Sequence, residues 1–263
     1  MTTMTLAVRD SATMLRRQLR HMSRNLSVLL MLLAVPIIFL LLFVYVLGGT
    51  LGDGLGGGSG GRGAYVNYVT PGILLITIAS AVQGTAMSVA MDMAEGIIAR
   101  FRTMAIARVS VLTGHVLGSV LQTLLQLAAV LGVAVLVGFR PDSTAIEWLA
   151  VVGVLTATTF GLVWLTVAMG LATKTVEAAS NLPMPLMLLP FFGSGFVPTD
   201  SLPVGLRWFA EYQPFTPIME TLRGLLLGTP IGNSGVIALG WCAVIALAGY
   251  VWARWLYNRD RSR

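Results

Sequence analysis

PGILLITIASAVQGTAMSVAMDMAEGIIARFRTMAIARVS, residues 71–110, decides the fold. Its first part, 71–91, carries no Asp, Glu, Lys or Arg, and about 20 such residues are what an α-helix needs to cross ~30 Å of hydrocarbon. The second part, EGIIARFRTMAIARVS (95–110), changes character. Ile97, Ile98, Phe101 and Met104 recur at helical spacing beside Arg100, Arg102 and Arg108, the pattern of a short surface helix with an apolar face and a basic rim. The segment thus lies in a loop between two long apolar runs.

The same pattern continues along all 263 residues, 56% of which are hydrophobic and 11% charged, against roughly 25% charged in a soluble domain. Spans are predicted at 28–47, 71–91, 112–138, 147–172, 181–198 and 234–256. The chain therefore reads as an all-α integral membrane protein of six transmembrane helices, one membrane domain over 1–263. The first span follows arginines, as a signal peptide does, but it is longer than an h-region and Gly48-Gly49-Thr50 is not a cleavage site, so it reads as retained.

Six crossings put both termini on one side, and arginine and lysine choose it. Arg9, Arg16, Arg17, Arg20, Arg24, Arg100, Arg102, Arg108, Lys174, Arg254, Arg259, Arg261 and Arg263 share one side; Arg62, Arg140, Arg207 and Arg223 share the other. The positive-inside rule makes the crowded side cytoplasmic, with both termini on it. Asp10, Asp92, Glu95, Glu177 and Asp260 then lie inside, and Asp53, Asp142, Glu147, Asp200, Glu211 and Glu220 outside. The basic excess flanks membrane spans, where anionic lipid headgroups explain it and nucleic acid is not called for. Cys242 stands alone in the last span, so no intrachain disulfide forms.

Leu15, Leu19, Met22 and Leu26 share one helical face opposite Arg16, Arg17, Arg20 and Arg24. That order favours an interfacial helix on the inner leaflet over a plain basic flank. GLGGGSGGRG, 54–63, reads as a flexible outer linker. Its Gly57-Gly58-Ser59-Gly60-Gly61 spells a G-x-S-x-G pattern, but that motif needs a strand–turn–helix and a histidine partner, and His21 and His115 map near the other side. Thr77, Ser80, Gly84 and Ser88 in span two, and Gln122 and Gln126 in span three, read as helix-packing faces. His115 reads as a packing residue.

Span five, NLPMPLMLLPFFGSGFVP, holds Pro183, Pro185, Pro190 and Pro198, which remove backbone donors and force kinks. Freed carbonyls in a membrane need protein or a water-filled cavity beside them, so this span belongs at an interface. Residues 199–233 then read as two short outer amphipathic helices, 203–212 and 217–227, begun by Pro203 and Pro217 and too short to cross. Tyr45, Tyr65, Tyr68 and Trp148 at outer ends, with Trp252, Trp255 and Tyr257 at the inner end of span six, form an aromatic belt.

No span interior holds Asp, Glu, Lys or Arg, which disfavours an ion-coupled secondary carrier or channel, the main alternative. Lys174, the sole lysine, follows Thr173, so the chain has no G-x-x-x-x-G-K-[ST] loop for ATP. No cluster of His, Cys, Asp or Glu at one depth suggests a metal site or a membrane-embedded enzyme. Read from residues alone, 95–108 fits a partner-docking helix and a surface loop whose arginines set topology equally well.

Together, the amphipathic N-terminal helix, the cytoplasmic EGIIARFRTMAIARVSVLTGHVLG segment and GSGFVPTDSLPVGLRWFAEYQPFTPIMETLRGLLLG after span five resemble the type-2 ABC exporter permeases, in particular the daunorubicin-resistance branch. The resemblance covers nearly the whole chain. It implies a bacterial plasma-membrane permease, itself not an enzyme and binding no cofactor, that moves amphiphilic or lipophilic cargo such as drugs or lipids. It implies a second permease copy or paralogue, membrane lipid, and two copies of a separate ABC ATPase holding ATP and Mg. By position, Glu95, Gly96, Ile97, Arg100, Phe101 and Arg102 would form the coupling contact, with the N-terminal helix beside it. Pro198, Trp208, Glu211, Pro214, Pro217, Glu220 and Arg223 would belong to re-entrant helices at an outer gate. Spans one, two and five would line the path.

Overall fold

The computed structural model describes residues 26–55, 61–95, 108–196 and 202–258. Among them every regular element is helical. Helix α1 (Leu26–Leu41) widens into a π turn at Leu42–Leu47 and continues as α2 (Gly48–Leu55). It is followed by α3 (Gly61–Ala94), α4 (Arg108–Val137) and α5 (Ala145–Ala172). Then come α6 (Val176–Asn181), α7 (Met184–Leu188), a 3₁₀ turn (Leu189–Phe192), α8 (Val204–Tyr212), α9 (Phe215–Leu227) and α10 (Ser234–Asn258). Among the described residues five stretches are long and apolar enough to cross a membrane: Leu33–Gly52, Gly61–Ala94, His115–Val137, Ala145–Ala172 and Ser234–Asn258.

The expected fifth span, 181–198, is not a continuous helix of that length. Its prolines break it into α6, α7 and the 3₁₀ turn: Pro183 stands at the N-cap of α7, Pro190 lies in the 3₁₀ turn, and Gly193 is extended. The expected glycine linker is shorter than 54–63. Helix α2 takes Gly54 and Leu55, and α3 takes Gly61 to Gly63, because packing against each other orders backbone that lipid exposure alone would not. The second short helix starts at Phe215, behind Pro214, so Pro217 sits inside its first turn and does not begin it.

Helix α3 is the hub. Every residue from Val69 to Val82 is buried, and neighbours on several sides explain that: α1 and the π turn, α4, α5, the broken run and α9 all pack on it. Its 34 residues span about 51 Å at 1.5 Å per residue, so its first ten residues rise beyond the apolar stretch; Tyr65, Val66, Val69 and Thr70 among them are buried while Arg62 and Gly63 are exposed.

Close helix contacts fall at glycines. A Cβ on Gly249 of α10 would lie 2.5 Å from the Leu165 nitrogen of α5, and one on Gly170 would lie 2.6 Å from the Ala86 oxygen of α3. Along the α5–α10 seam, Thr158 Oγ1 meets Cys242 Sγ at 3.4 Å, Gly161 faces the Cys242 carbonyl, and Trp164 packs edge-on to Tyr250 with centroids 5.0 Å apart. Residue numbers rise together along both helices, so α5 and α10 run parallel. The other face of α10, with Val236, Leu239, Val244, Leu247 and Val251, is exposed, as a lipid-facing stripe is.

The expected small-residue packing face in α3 is buried at Thr77 and Ser80 but not drawn close at Gly84. Thr77 Oγ1 donates to the Ile73 carbonyl at 2.8 Å and Ser80 Oγ to the Thr77 carbonyl at 3.0 Å, both within α3, and a Cβ on Gly84 would meet open space. Tyr65, expected in the aromatic belt, is fully buried, as is Tyr257 nearly so; Tyr45 and Trp255 are the exposed members.

Candidate functional site

Two places inherit functional expectations: the end around α8 and α9, expected to be the outer one, and the end around 95–108, expected to be the inner one. At the outer end, α5 begins with a capping box in which Thr144 N–H donates to Glu147 Oε2 at 2.6 Å and Glu147 N–H to Thr144 Oγ1 at 3.4 Å. This fixes where α5 starts. Just before it, Asp142 N–H donates to the Leu226 carbonyl at 2.9 Å and Ser143 Oγ to the Leu225 carbonyl at 2.9 Å. The end of α9 is thereby tied to the start of α5. Helix α9 stops at Gly228, whose φ of 66° is the left-handed conformation that favours glycine, a frequent helix stop.

Helix α9 is mostly buried, and on it stands Arg223. Its Nη2 donates to the Ser194 carbonyl at 2.6 Å and to the Tyr68 carbonyl at 3.4 Å, while the guanidinium lies 4.0 Å from the Tyr68 ring centroid. One side chain thus joins α9, α3 and the end of the broken run. Burial pulls the guanidinium below its ordinary pKa, and Tyr68 and Glu220 pull it back, so it keeps its charge. Glu220 accepts a hydrogen bond from Ser234 Oγ at 2.9 Å, which ties α9 to the start of α10.

Beside this junction the backbones nearly touch. A Cβ on Gly195 would lie 2.7 Å from Met219 Sδ, and one on Gly72 would lie 3.0 Å from the Gly195 oxygen. Tyr65 Oη donates to the Phe196 carbonyl at 3.4 Å. Phe196 stacks on Phe191 with centroids 4.9 Å apart, and both meet Phe43 of the π turn. The structure therefore packs together α1, α3 and the broken run, the three elements expected to line the path. Lower down, Gln83 Nε2 donates to the Ser180 carbonyl at 2.6 Å. Between the Tyr65 and Gln83 contacts, the broken run travels eighteen residues of α3, about 27 Å.

Of the remaining expected outer residues, Trp208 and Glu211 sit on the periphery. Trp208 is 66% exposed and pairs with Tyr212; Glu211 bonds Arg207 Nε at 2.8 Å on the surface of α8. Pro217 is buried and Pro214 half-buried; Pro198 lies outside the described residues. All four arginines assigned to the outer side are engaged locally: Arg62 over the Tyr45 ring at 4.9 Å, Arg140 on the Val135 and Phe139 carbonyls, Arg207 on Glu211 and Arg223 on Ser194. Sequence reading grouped Arg223 with the gate region but missed its acceptors, because they are main-chain oxygens, of Ser194 and Tyr68, far from it in sequence.

At the inner end, Glu95 closes α3, its N–H donating to the Met91 carbonyl at 2.9 Å. Gly96, Ile97, Arg100, Phe101 and Arg102 lie outside the described residues, as do Arg16, Arg17, Arg20 and Arg24. His115, expected to be a satisfied packing residue, is half-buried and finds its partner in Asp92, Nε2 to Oδ2, at 2.9 Å.

A family model described as ABC-2 type transporter matches residues 10–227. A daunorubicin resistance ABC transporter permease protein, DrrB1 of Streptomyces coeruleorubidus, is 26% identical over 188 residues, covering 69% of this chain and 66% of that protein. Probable doxorubicin resistance ABC transporter permease protein DrrC, from two strains of Mycobacterium tuberculosis, is 26% identical over 187 residues, 67% of each chain. With its long apolar helices, its broken run and a family match across most of its length, the chain belongs to the ABC-2 type transporter permease family.

Proposed function

We propose that this chain is the permease subunit of an ATP-driven export system that carries amphiphilic or lipophilic cargo, drug-like compounds or lipids, out across the bacterial plasma membrane. The family match over residues 10–227 carries the reading, and the resistance permeases among its relatives support a drug-like cargo. ATP and Mg would be held by a separate ABC ATPase in two copies, and the path would form with a second permease copy or paralogue. The exposed face of α10 would meet lipid.

The fold has six crossings in this reading, with both termini cytoplasmic. Two helices that pack in parallel need an odd number of crossings between them, and the broken run supplies one by moving from the Ser180–Gln83 level to the Phe196–Tyr65 level. Cysteines placed at Ser59 and Ser262 are then expected to react with a membrane-impermeant maleimide from opposite sides of intact cells. Same-side labelling would reject the topology.

The cycle converts ATP-driven closure of the partner into opening of the outer end. Glu95, Gly96, Ile97, Arg100, Phe101 and Arg102 form the contact with the ATPase, an apolar anchor in a charged rim, beside the basic N-terminal helix. At the other end, the Arg223 junction holds the broken run against α3 and α9. Opening requires the two states to differ in such contacts. The test is a mild-detergent pull-down of the tagged chain from its host, with mass spectrometry. A P-loop ATPase is expected at stoichiometric level from wild type and is expected to be lost from Phe101→Asp at equal membrane abundance. Retention by the mutant rejects the coupling contact; a wild-type chain recovered without ATPase rejects the export reading in favour of a stand-alone carrier.

A further inference from the structure

Asp92 stands in the last turn of α3, where the helix macrodipole is negative and a carboxylate is disfavoured. Local helix physics therefore does not account for it. A tertiary partner does: His115, on the second turn of α4, places Nε2 2.9 Å from Asp92 Oδ2. The two side chains are only 13% and 18% exposed, so the pair is sheltered at the edge of the membrane, where unpaired ionisable groups are rare and costly. In sequence the pair brackets the 95–108 segment, and in space it joins the two helices that enter and leave that segment.

We infer that Asp92 and His115 form a closed neck that makes the inner ends of α3 and α4 move as one body when the ATPase displaces the segment between them. They are positioning residues and touch neither cargo nor nucleotide. The inference rests on the permease reading above. Without the neck, displacement of the segment would splay the two helices apart at their inner ends. With it, motion passes along α3 to the Gly72–Gly195 and Tyr68–Arg223 contacts at the far end of the same helix.

The pair can be tested in inverted membrane vesicles containing the chain and its ATPase, with ATP-dependent doxorubicin uptake as the probe. In Asp92→Cys with His115→Cys, a short bis-methanethiosulfonate linker joins the new thiols, while Cys242 is buried between α5 and α10. Uptake by the linked protein is expected to exceed, by about tenfold, that of the same protein before linking and that of Asp92→Ser with His115→Ser treated with the linker, because a fixed neck is the working state. Loss of uptake on linking overturns the inference, since the pair must then separate during the cycle.

His115→Ala supplies the converse. Uptake is expected to fall about tenfold, within the range of a coupling free energy between sites, with ATPase recovery and basal hydrolysis unchanged. Exchange of the two residues, Asp92→His with His115→Asp, is expected to restore uptake. Normal uptake by His115→Ala, or an exchanged pair that accumulates normally and stays inactive, overturns the neck alone. Failure to recover any ATPase with the wild-type chain sinks the permease reading, and the neck with it.

Discussion

Replacing Gly249 by leucine is expected to remove most of the folded chain from the membrane, while the same replacement at Gly240, nine residues earlier on the same helix, leaves it intact. At Gly249 a Cβ would stand 2.5 Å from the Leu165 nitrogen and 2.7 Å from the Trp164 carbonyl carbon. Both obstacles are backbone atoms of α5, so no rotamer change relieves them. Helix α10 would have to lift off, undoing the Trp164–Tyr250 and Thr158–Cys242 contacts along the seam. Overpacking costs about 1–3 kcal/mol where side chains can yield, and here they cannot. One or two kcal/mol already shifts a folded population about 5–30-fold. At Gly240 nothing lies within 4 Å, and leucine there only adds apolar surface on an exposed side. Detergent-extracted chain measured by fluorescence size exclusion separates the outcomes; equal peaks for both variants would refute the seam.

Arg223→Gln is expected to loosen the junction of α9, α3 and the broken run without unfolding the chain. The substitution removes the charge-assisted hydrogen bond to Ser194, worth about 1.5–3 kcal/mol, and the stacking on Tyr68, worth about 2 kcal/mol where water is excluded. The hydrophobic packing of α9 through Ile218, Met219, Leu222 and Leu226, all buried, remains. Ser194 is 4% exposed, so a cysteine there should react slowly with an impermeant maleimide in otherwise wild-type protein. Reaction at least roughly tenfold faster with Arg223→Gln, equivalent to about 1.4 kcal/mol, is the expected result, together with weaker ATP-dependent export at equal abundance. Arg223→Lys should fall between the two, since it keeps the charge but lacks the planar fork. Unchanged labelling would show that Arg223 does not hold the end of the broken run.

Hydropathy located the uninterrupted spans because lipid exposure and apolar composition go together. The helix over 147–172 was expected and Ala145–Ala172 is found; 234–256 was expected and Ser234–Asn258 is found. It placed the start of span two at Pro71, ten residues after the helix begins, because GRGAYVNYVT is rich in Gly, Tyr and Asn and carries Arg62, so helix there leaves no apolar signal. Close-approach glycines were not legible for a related reason. Gly84 lies in a row of small residues and faces open space, whereas Gly170 and Gly249 sit in unremarkable apolar runs and touch backbone. Composition does not encode which face of a uniformly apolar helix turns inward. The Asp92–His115 pair was hidden because its members are 23 positions apart with a charged segment between them. The four prolines did announce the broken run, since proline acts on its own backbone wherever it stands.

The acceptor that Arg223 uses most closely is the main-chain oxygen of Ser194, and every residue has that oxygen. The junction therefore places no chemical requirement on the side chain at 194 beyond fitting between Gly193 and Gly195 under α9. Across relatives, an arginine at 223 is expected to persist while 194 drifts among small residues, and the two positions are expected not to covary. A saturation scan should show the same asymmetry: almost no substitution accepted at 223, and Ala, Cys, Thr or Gly accepted at 194.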